Sequence, residues 1–333
     1  MNDSVLPADF ADWLRELGFA GPGPIHAQAL RGGVSSDIWR VDLEQGPVCV
    51  KRALPVLRVQ AHWEAPVERN AYEARWLRFA ASVAPDSVPH CLASDDARGM
   101  LLMQYLPVEQ FALWKTQLSE GVVSASAARE VGALLAVLHA ESARRAELAE
   151  VFSCHEIFYQ IRLAPYLGAA AQRHPDCATQ LEGLIEITAS TRRALMHGDV
   201  SPKNILIGGS GPVLLDAECA CWGDPAFDLA FCLNHLLLKR ALRPDCTGLL
   251  RSAFTSLWQS YRAHAIASGP WEPWDDLEAR CARLLAGLLL ARVDGKSPVE
   301  YLVGSQQQTW VRELARRFLQ TPANRLESLN QSW

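Results

Sequence analysis

Asp199 and Asn204 stand five positions apart in His197-Gly198-Asp199-Val200-Ser201-Pro202-Lys203-Asn204, a stretch whose glycine and proline mark it as a loop. Alone, such a pair is most often turn chemistry. Here Ile205-Leu206-Ile207 and Val213-Leu214-Leu215 flank Gly208-Gly209-Ser210-Gly211-Pro212, the pattern of a β-hairpin. A hairpin that runs out and returns brings Asp216 back beside Asn204, although twelve positions separate them. Glu218 lies two residues further on. Oxygen donors gathered in this way suit a hard ion such as Mg²⁺, and clustering the acids without a cation would be costly.

A carboxylate beside a cation site matches what phosphoryl transfer needs: a group to orient the attacking hydroxyl, ligands for the metal, and cations on the phosphates. Several elements must position these parts. Ile38-Trp39-Arg40-Val41-Asp42-Leu43 and Val48-Cys49-Val50-Lys51 are β-rich runs joined by Glu44-Gln45-Gly46-Pro47, an antiparallel pair. Arg31-Gly32-Gly33-Val34-Ser35-Ser36-Asp37 leads into the first of them. A helix is expected from Asp9 to Leu17 and another from Glu68 to Ala81, where Glu73, Trp76, Leu77 and Ala80 share a face. Glu73 therefore lies on an apolar stripe and needs a partner. Met100 to Leu106 reads as a buried strand stopped by Pro107, and a lobe boundary falls near Leu106. Beyond it the pattern turns helical, with Phe227 to Leu242 and Leu277 to Val293 as long helices.

At 333 residues the chain exceeds what one core usually organises, which favours two lobes. A net charge of −5, with 32 basic and 37 acidic residues intermixed, gives no footprint for nucleic acid or an anionic membrane. Nine cysteines, odd in number and without paired spacing, read as reduced and packed thiols of a cytoplasmic protein. Acidic residues near the start, where a secretory signal would be basic, speak against export. No run reaches the ~20 apolar residues of a membrane-spanning helix.

His-Gly-Asp, four residues, Asn, then Leu-Leu-Asp-x-Glu resembles the catalytic and metal-binding motifs of the aminoglycoside phosphotransferase and choline kinase family, relatives of protein kinases. Asp216-Ala217-Glu218, followed by Trp222-Gly223 and Ala226-Phe227-Asp228-Leu229-Ala230, is most similar to the methylthioribose kinase branch. The resemblance runs from about Gly32 to at least Leu302 and is dense from Met196 to Leu238. It implies an α+β, bilobal, protein-kinase-like fold, with a small β-rich nucleotide-binding lobe over residues 1–105 and a larger, mainly helical lobe over 106–333. It implies ATP and Mg²⁺ as cofactors and a small hydroxylated molecule as acceptor. Asp199 becomes the base that receives the hydroxyl proton, Asn204 and Asp216 the metal ligands, and Glu218 a further metal or water-holding group. Lys51 becomes the strand lysine on the α/β-phosphates with Glu73 as its partner, Glu68 and Glu64 being rivals. Gln104, Tyr105 and Leu106 become a hinge that meets adenine through main-chain groups. The segment around Gly33 has two glycines where protein kinases have three, so its phosphate contacts lean on backbone N–H groups and on Ser35 or Ser36.

His197 reads as a hydrogen-bonded scaffold residue, and Asp228, after Pro225, as a helix cap, while the resemblance implies that it braces the catalytic loop. Lys203 either reaches the transferred phosphate or is solvated. Arg292 and Lys296 either complement a helix C-terminus or bind an anionic or polyhydroxyl acceptor. A methylthioribose-like sugar or another polyol or alcohol is the first acceptor expected. An aminoglycoside is the alternative within the enzyme class, and a non-catalytic kinase-like nucleotide-binding module the alternative outside it.

Overall fold

Side chains alternate across a β-strand, so the run Val48-Cys49-Val50-Lys51 must find partners on two faces. On one face Val48 and Val50 join Val41, Met100 and Leu102, and Phe10, Trp13 and Leu14 of the helix Ala8–Glu16 pack over them. The opposite face holds Lys51, next to Glu73 of the helix Arg69–Val83. The sheet itself is antiparallel, built of β1 (His26–Ala29), β2 (Ser36–Leu43), β3 (Gly46–Ala53), β4 (Cys91–Asp95) and β5 (Met100–Gln104) in the order β1-β2-β3-β5-β4. These elements form one compact unit, Met1–Pro107, and Val108–Trp333 forms a second. The structure is a computed structural model and describes residues 5–30, 35–58, 63–269 and 271–332.

The second unit is mainly helical. The helix Ala226–Leu242 is buried along nearly its whole length, as a helix that is apolar all round has to be. Around it run Ala125–Ala143, Thr247–Ala267 and Trp274–Asp294. Two small sheets punctuate these helices: β6 (Phe111–Leu113), β8 (Ile205–Gly208) and β9 (Gly211–Leu214) in the order β6-β8-β9, and a pair of β7 (Ala194–Met196) with β10 (Cys221–Gly223).

The expected hairpin is β8–β9, with a tighter turn than the sequence suggests. Gly208 and Gly211 pair with each other, leaving only Gly209 and Ser210 in the turn. Pro212 lies within β9, which its missing N–H permits because β9 is an edge strand. Helix ends differ from the expected ones by one to three residues, Ala8–Glu16 for Asp9–Leu17 and Trp274–Asp294 for Leu277–Val293. Several elements have no counterpart in the sequence reading, among them β1, β4, β7, β10 and the helix Thr247–Ala267. Another is β6, too short to show a period. A further one is a π-helix over Tyr159–Gly168 that contains Pro165, a residue unable to donate the helical i→i−4 bond. All nine cysteines are free thiols. Among the described residues no helix is long and apolar enough to cross a membrane.

Candidate active site

The segment from His197 to Ala220 is a loop closed at its base, because β7 before it pairs with β10 after it, Met196 opposite Cys221. Asp228 anchors its first turn: Oδ2 accepts from the His197 N–H at 2.7 Å and Oδ1 from the Gly198 N–H at 2.8 Å. His139 Nε2 adds a third contact at 3.2 Å, and its Nδ1 meets the Tyr261 hydroxyl at 2.8 Å. Burial alone would raise the Asp228 pKa, but these bonds and the nearby histidines hold it below the usual carboxylate range. The capping role weighed for Asp228 is not what the structure shows; Asp224 Oδ1 accepts the first helical N–H, from Ala226, at 3.0 Å. Asp228 braces the loop instead.

His197 carries the constraint onward. The Asp199 N–H donates to its Nδ1 at 3.2 Å, which leaves Nε2 to donate to the Leu215 carbonyl at 3.0 Å. Burial keeps the ring neutral against the pull of Asp228, Asp199 and Asp216. The imidazole thereby ties the loop to the far end of the hairpin.

Asp199 itself is 1% exposed, and its two oxygens have different surroundings. Oδ2 meets Arg162 Nη2 at 2.7 Å, Lys203 Nζ at 3.1 Å and Asn204 Nδ2 at 2.8 Å. Oδ1 is buried and has no hydrogen-bond partner among the described residues. Arg162 also donates to the Gly198 carbonyl at 2.8 Å. Burial would lower its pKa, yet Asp199 beside it, with smaller effects of Cys219, Tyr166 and Glu218, holds the guanidinium above its ordinary value.

The hairpin returns as expected, the Leu215 N–H donating to the Asn204 carbonyl at 2.9 Å so that Asp216 follows directly. Asp216 has φ 66°, the left-handed conformation, and is the only described residue other than glycine with positive φ. Such a conformation in a non-glycine residue concentrates at functional positions. The Asn204 amide nitrogen donates to Asp199, to its carbonyl at 3.1 Å as well as to Oδ2, so that Oδ1 is the Asn204 atom that could hold a cation. Glu218 is buried two residues beyond Asp216. Among the described residues no group of three or more His, Cys, Asp or Glu is arranged to hold a metal unaided. The oxygens of Asn204, Asp216 and Glu218 are of the kind that could hold a hard ion together with waters and substrate oxygens.

In the first unit Lys51 Nζ lies 2.6 Å from Glu73 Oε2, both side chains almost fully buried, so of the three carboxylates weighed for Lys51 it is Glu73 that pairs with it. Ser35 and Ser36 are buried, and among the described residues the Ser36 hydroxyl has no hydrogen-bond partner. Gly33 lies outside the described residues. Gln104 ends β5 with its N–H on the His90 carbonyl at 2.9 Å; Tyr105 and Leu106 follow outside any strand or helix, half-buried.

The remaining residues separate. Lys203 sits on Asp199 with its side chain 45% exposed. Arg292 is buried against Tyr166 and Ser297, whereas Lys296 is exposed and engages only its main chain, its N–H meeting the Pro165 carbonyl at 2.8 Å. Arg162 was invisible to sequence reading: it lies 37 positions before Asp199 in the π-helix, and only Pro165 inside a helical run hinted that the segment is unusual.

Residues 26–264 match the model of the phosphotransferase enzyme family. Methylthioribose kinases of Erwinia tasmaniensis and Pectobacterium atrosepticum are 24% and 23% identical over 66% and 73% of this chain, which spans 63% and 70% of their length. Among solved structures, choline kinase of Cryptosporidium parvum superposes with a TM-score of 0.59 at 12% identity, covering 97% of this chain and 99% of its own. Amicoumacin kinase in complex with AMP-PNP, Ca²⁺ and Ami gives 0.55 at 12% identity and 98% of both chains. Macrolide 2′-phosphotransferase of Brachybacterium faecium gives 0.52 at 19% identity, with 95% of this chain and 99% of that one. The shared architecture is the α+β kinase-like fold that the sequence led us to expect. With a family model matched along most of its length, the chain belongs to the phosphotransferase enzyme family.

Proposed function

We propose that the protein is an ATP- and Mg²⁺-dependent kinase of a small hydroxylated molecule, acting in the cytoplasm. One observation carries the reading: Asp199 presents a buried oxygen, Oδ1, without a partner, while three donors hold its other oxygen. A buried acceptor left unsatisfied is costly, and a substrate hydroxyl would satisfy it. In the reaction the acceptor oxygen bonds to the γ-phosphorus of ATP, the bond to the β-phosphate oxygen breaks to release ADP, and the hydroxyl proton passes to Asp199 Oδ1. Lys203, beside that carboxylate and half exposed, is the cation suited to the transferring phosphoryl group.

Asn204 Oδ1 and Asp216, with Glu218 close by, would hold Mg²⁺, which when bound offsets phosphate charge. In the first unit Lys51, fixed by Glu73, serves the α/β-phosphates; main-chain N–H groups around Gly33, with Ser35 and Ser36, are assigned to phosphate as well. Tyr105, Leu106 and the carbonyl of Gln104 serve adenine. The acceptor is a polyol or alcohol, a class that includes methylthioribose, on which the curated relatives act by name.

The test is phosphate transfer from Mg·ATP to a panel of small alcohols and polyols. The Asp199→Asn variant is expected to lose about 10²- to 10⁴-fold in rate, the usual size of general-base assistance, while nucleotide still raises its melting temperature. Turnover at the parent rate in that variant would remove Asp199 from the mechanism. Nucleotide binding with no transfer to any acceptor would favour the regulatory module.

A further inference from the structure

We propose that the acceptor carries an oxyanion, a carboxylate or a phosphate, besides the hydroxyl it offers to Asp199, and that Arg292 and Lys239 receive it. The proposal rests on the kinase reading and narrows it.

Both side chains are buried cations without a carboxylate. Arg292 is 7% exposed; Nη1 meets the Tyr166 hydroxyl at 3.3 Å and Ser297 Oγ at 3.1 Å, and also the Ser297 carbonyl, while Nε has no partner. Lys239 is 1% exposed, with Nζ on Ser119 Oγ at 2.7 Å and 3.7 Å from the centre of the Tyr301 ring. Among the described residues neither has an acidic group within ion-pair distance. Burial pushes Lys239 down to about 8, Glu300 opposing and Lys115 reinforcing the effect. His235 has its Nδ1 3.4 Å from the Tyr301 hydroxyl, and its ring centre lies 5.6 Å from that of Phe231, which is in turn 5.7 Å from the Tyr166 ring beside Arg292. Burial, then Arg292, Lys239, Lys203 and Lys115, drive its pKa far down, so the imidazole adds no charge of its own.

The acids nearby are already committed. Asp199 meets two cations, Arg162 and Lys203, and Glu300 pairs with Lys115. The surplus of positive charge is continuous with the catalytic loop. The Tyr166 ring centre lies 5.9 Å from the Arg162 guanidinium carbon and 5.4 Å from that of Arg292. A buried unpaired cation is destabilising unless something supplies the counter-charge, and a guanidinium with a free N–H edge matches carboxylate and phosphate geometry. The same surplus disfavours cationic acceptors such as aminoglycosides.

The experiment uses the full chain with Mg·ATP and four acceptor arms: glycerate, ribose 5-phosphate, uncharged ribose and methylthioribose, and choline. An anionic arm is expected to exceed the uncharged and cationic arms at least 100-fold in kcat/KM, and which anion wins separates carboxylate from phosphate. Lys239→Met is expected to raise the KM of that acceptor at least tenfold while raising the melting temperature, an outcome that a purely structural lysine would not give. Arg292→Gln, expected to raise the same KM at least tenfold, carries the test if the first variant does not fold. Independently of turnover, inorganic phosphate and glycerate are titrated onto both variants, whose stabilisation by at least one of the two anions is expected to be lost. Faster turnover of an uncharged acceptor, or unchanged anion binding in both variants, overturns the proposal and leaves the kinase reading standing. Absence of any transfer together with intact, variant-sensitive anion binding would count against the kinase reading alone.

Discussion

Replacing Arg162 with methionine is expected to damage stability and catalysis together, and the two effects come from the same contacts. The wild-type guanidinium bonds Asp199 Oδ2 at 2.7 Å and the Gly198 carbonyl at 2.8 Å, with the Arg162 and Asp199 side chains 6% and 1% exposed. Breaking a buried ion pair from one side costs ~3–5 kcal/mol, because the other charge is left behind. Here Lys203 and Asn204 remain on the same oxygen, so the lower end applies, about 3 kcal/mol, with roughly 1 kcal/mol more for the bereft Gly198 carbonyl. Asp199→Asn alone leaves Arg162 as the uncompensated charge. In the double variant neither charge is stranded, so the sum of the single effects should exceed the double effect by about 2–3 kcal/mol. Urea unfolding of the four proteins measures this coupling. Additivity within ~0.5 kcal/mol would show that the two residues do not act as a pair, and the account of Asp199 would fail with it. Activity supplies the second readout: a carboxylate no longer held in place is expected to lose about 10²-fold in transfer rate in the Arg162→Met protein, as misplacement of a reacting group by an ångström typically does.

Gly198 has φ 77°, and a Cβ there would stand 2.5 Å from the Cys219 carbonyl oxygen and 2.8 Å from Cys219 Cβ. Gly198→Ala is therefore expected to cost ~1–3 kcal/mol and to slow transfer well beyond what that loss of folded protein explains, measured as rate per folded molecule. Asp228 gives a pH prediction: its folded pKa is depressed, so its stabilisation is present above the unfolded value of about 4 and is lost as pH falls through the folded one. Asp228→Asn should be less stable than the parent at neutral pH, and the gap should narrow below pH ~4. A gap independent of pH would show that the carboxylate charge contributes nothing.

How much of this was legible in the sequence depended on how far apart in the chain the cooperating residues lie. Asn204 and Asp216 are joined by a hairpin whose strands and turn are visible in composition, so local rules alone place them together. Glu73 was legible as a buried carboxylate from its helical face, whereas Lys51 as its partner came from the family resemblance and not from the strand pattern. Arg162 had neither kind of signal. Its π-helix has no apolar period that sequence reading tests for, and its partner is fixed by how that helix packs on the loop. At Asp228 the local rule failed where the resemblance, which made it a brace for the loop, succeeded. An acid following proline at a helix start reads as a cap, but in the structure its carboxylate faces two loop N–H groups and leaves the first helical N–H to Asp224. The local rule named the right residue type, and tertiary contacts chose another recipient.

The contacts around Asp199 also indicate what kind of help it gives. Two cations and an amide crowd one carboxylate oxygen, an arrangement that fixes the group in place. Phosphoryl transfer asks for little proton abstraction early in the reaction and for accurate placement of the attacking oxygen. His197 and Asp228 serve the same end from behind, locking the backbone on either side of Gly198 and tying it to the residue before Asp216. On the proposed kinase reading the loop is a positioning device, in which buried polar contacts hold one oxygen, Asp199 Oδ1, for a hydroxyl to meet.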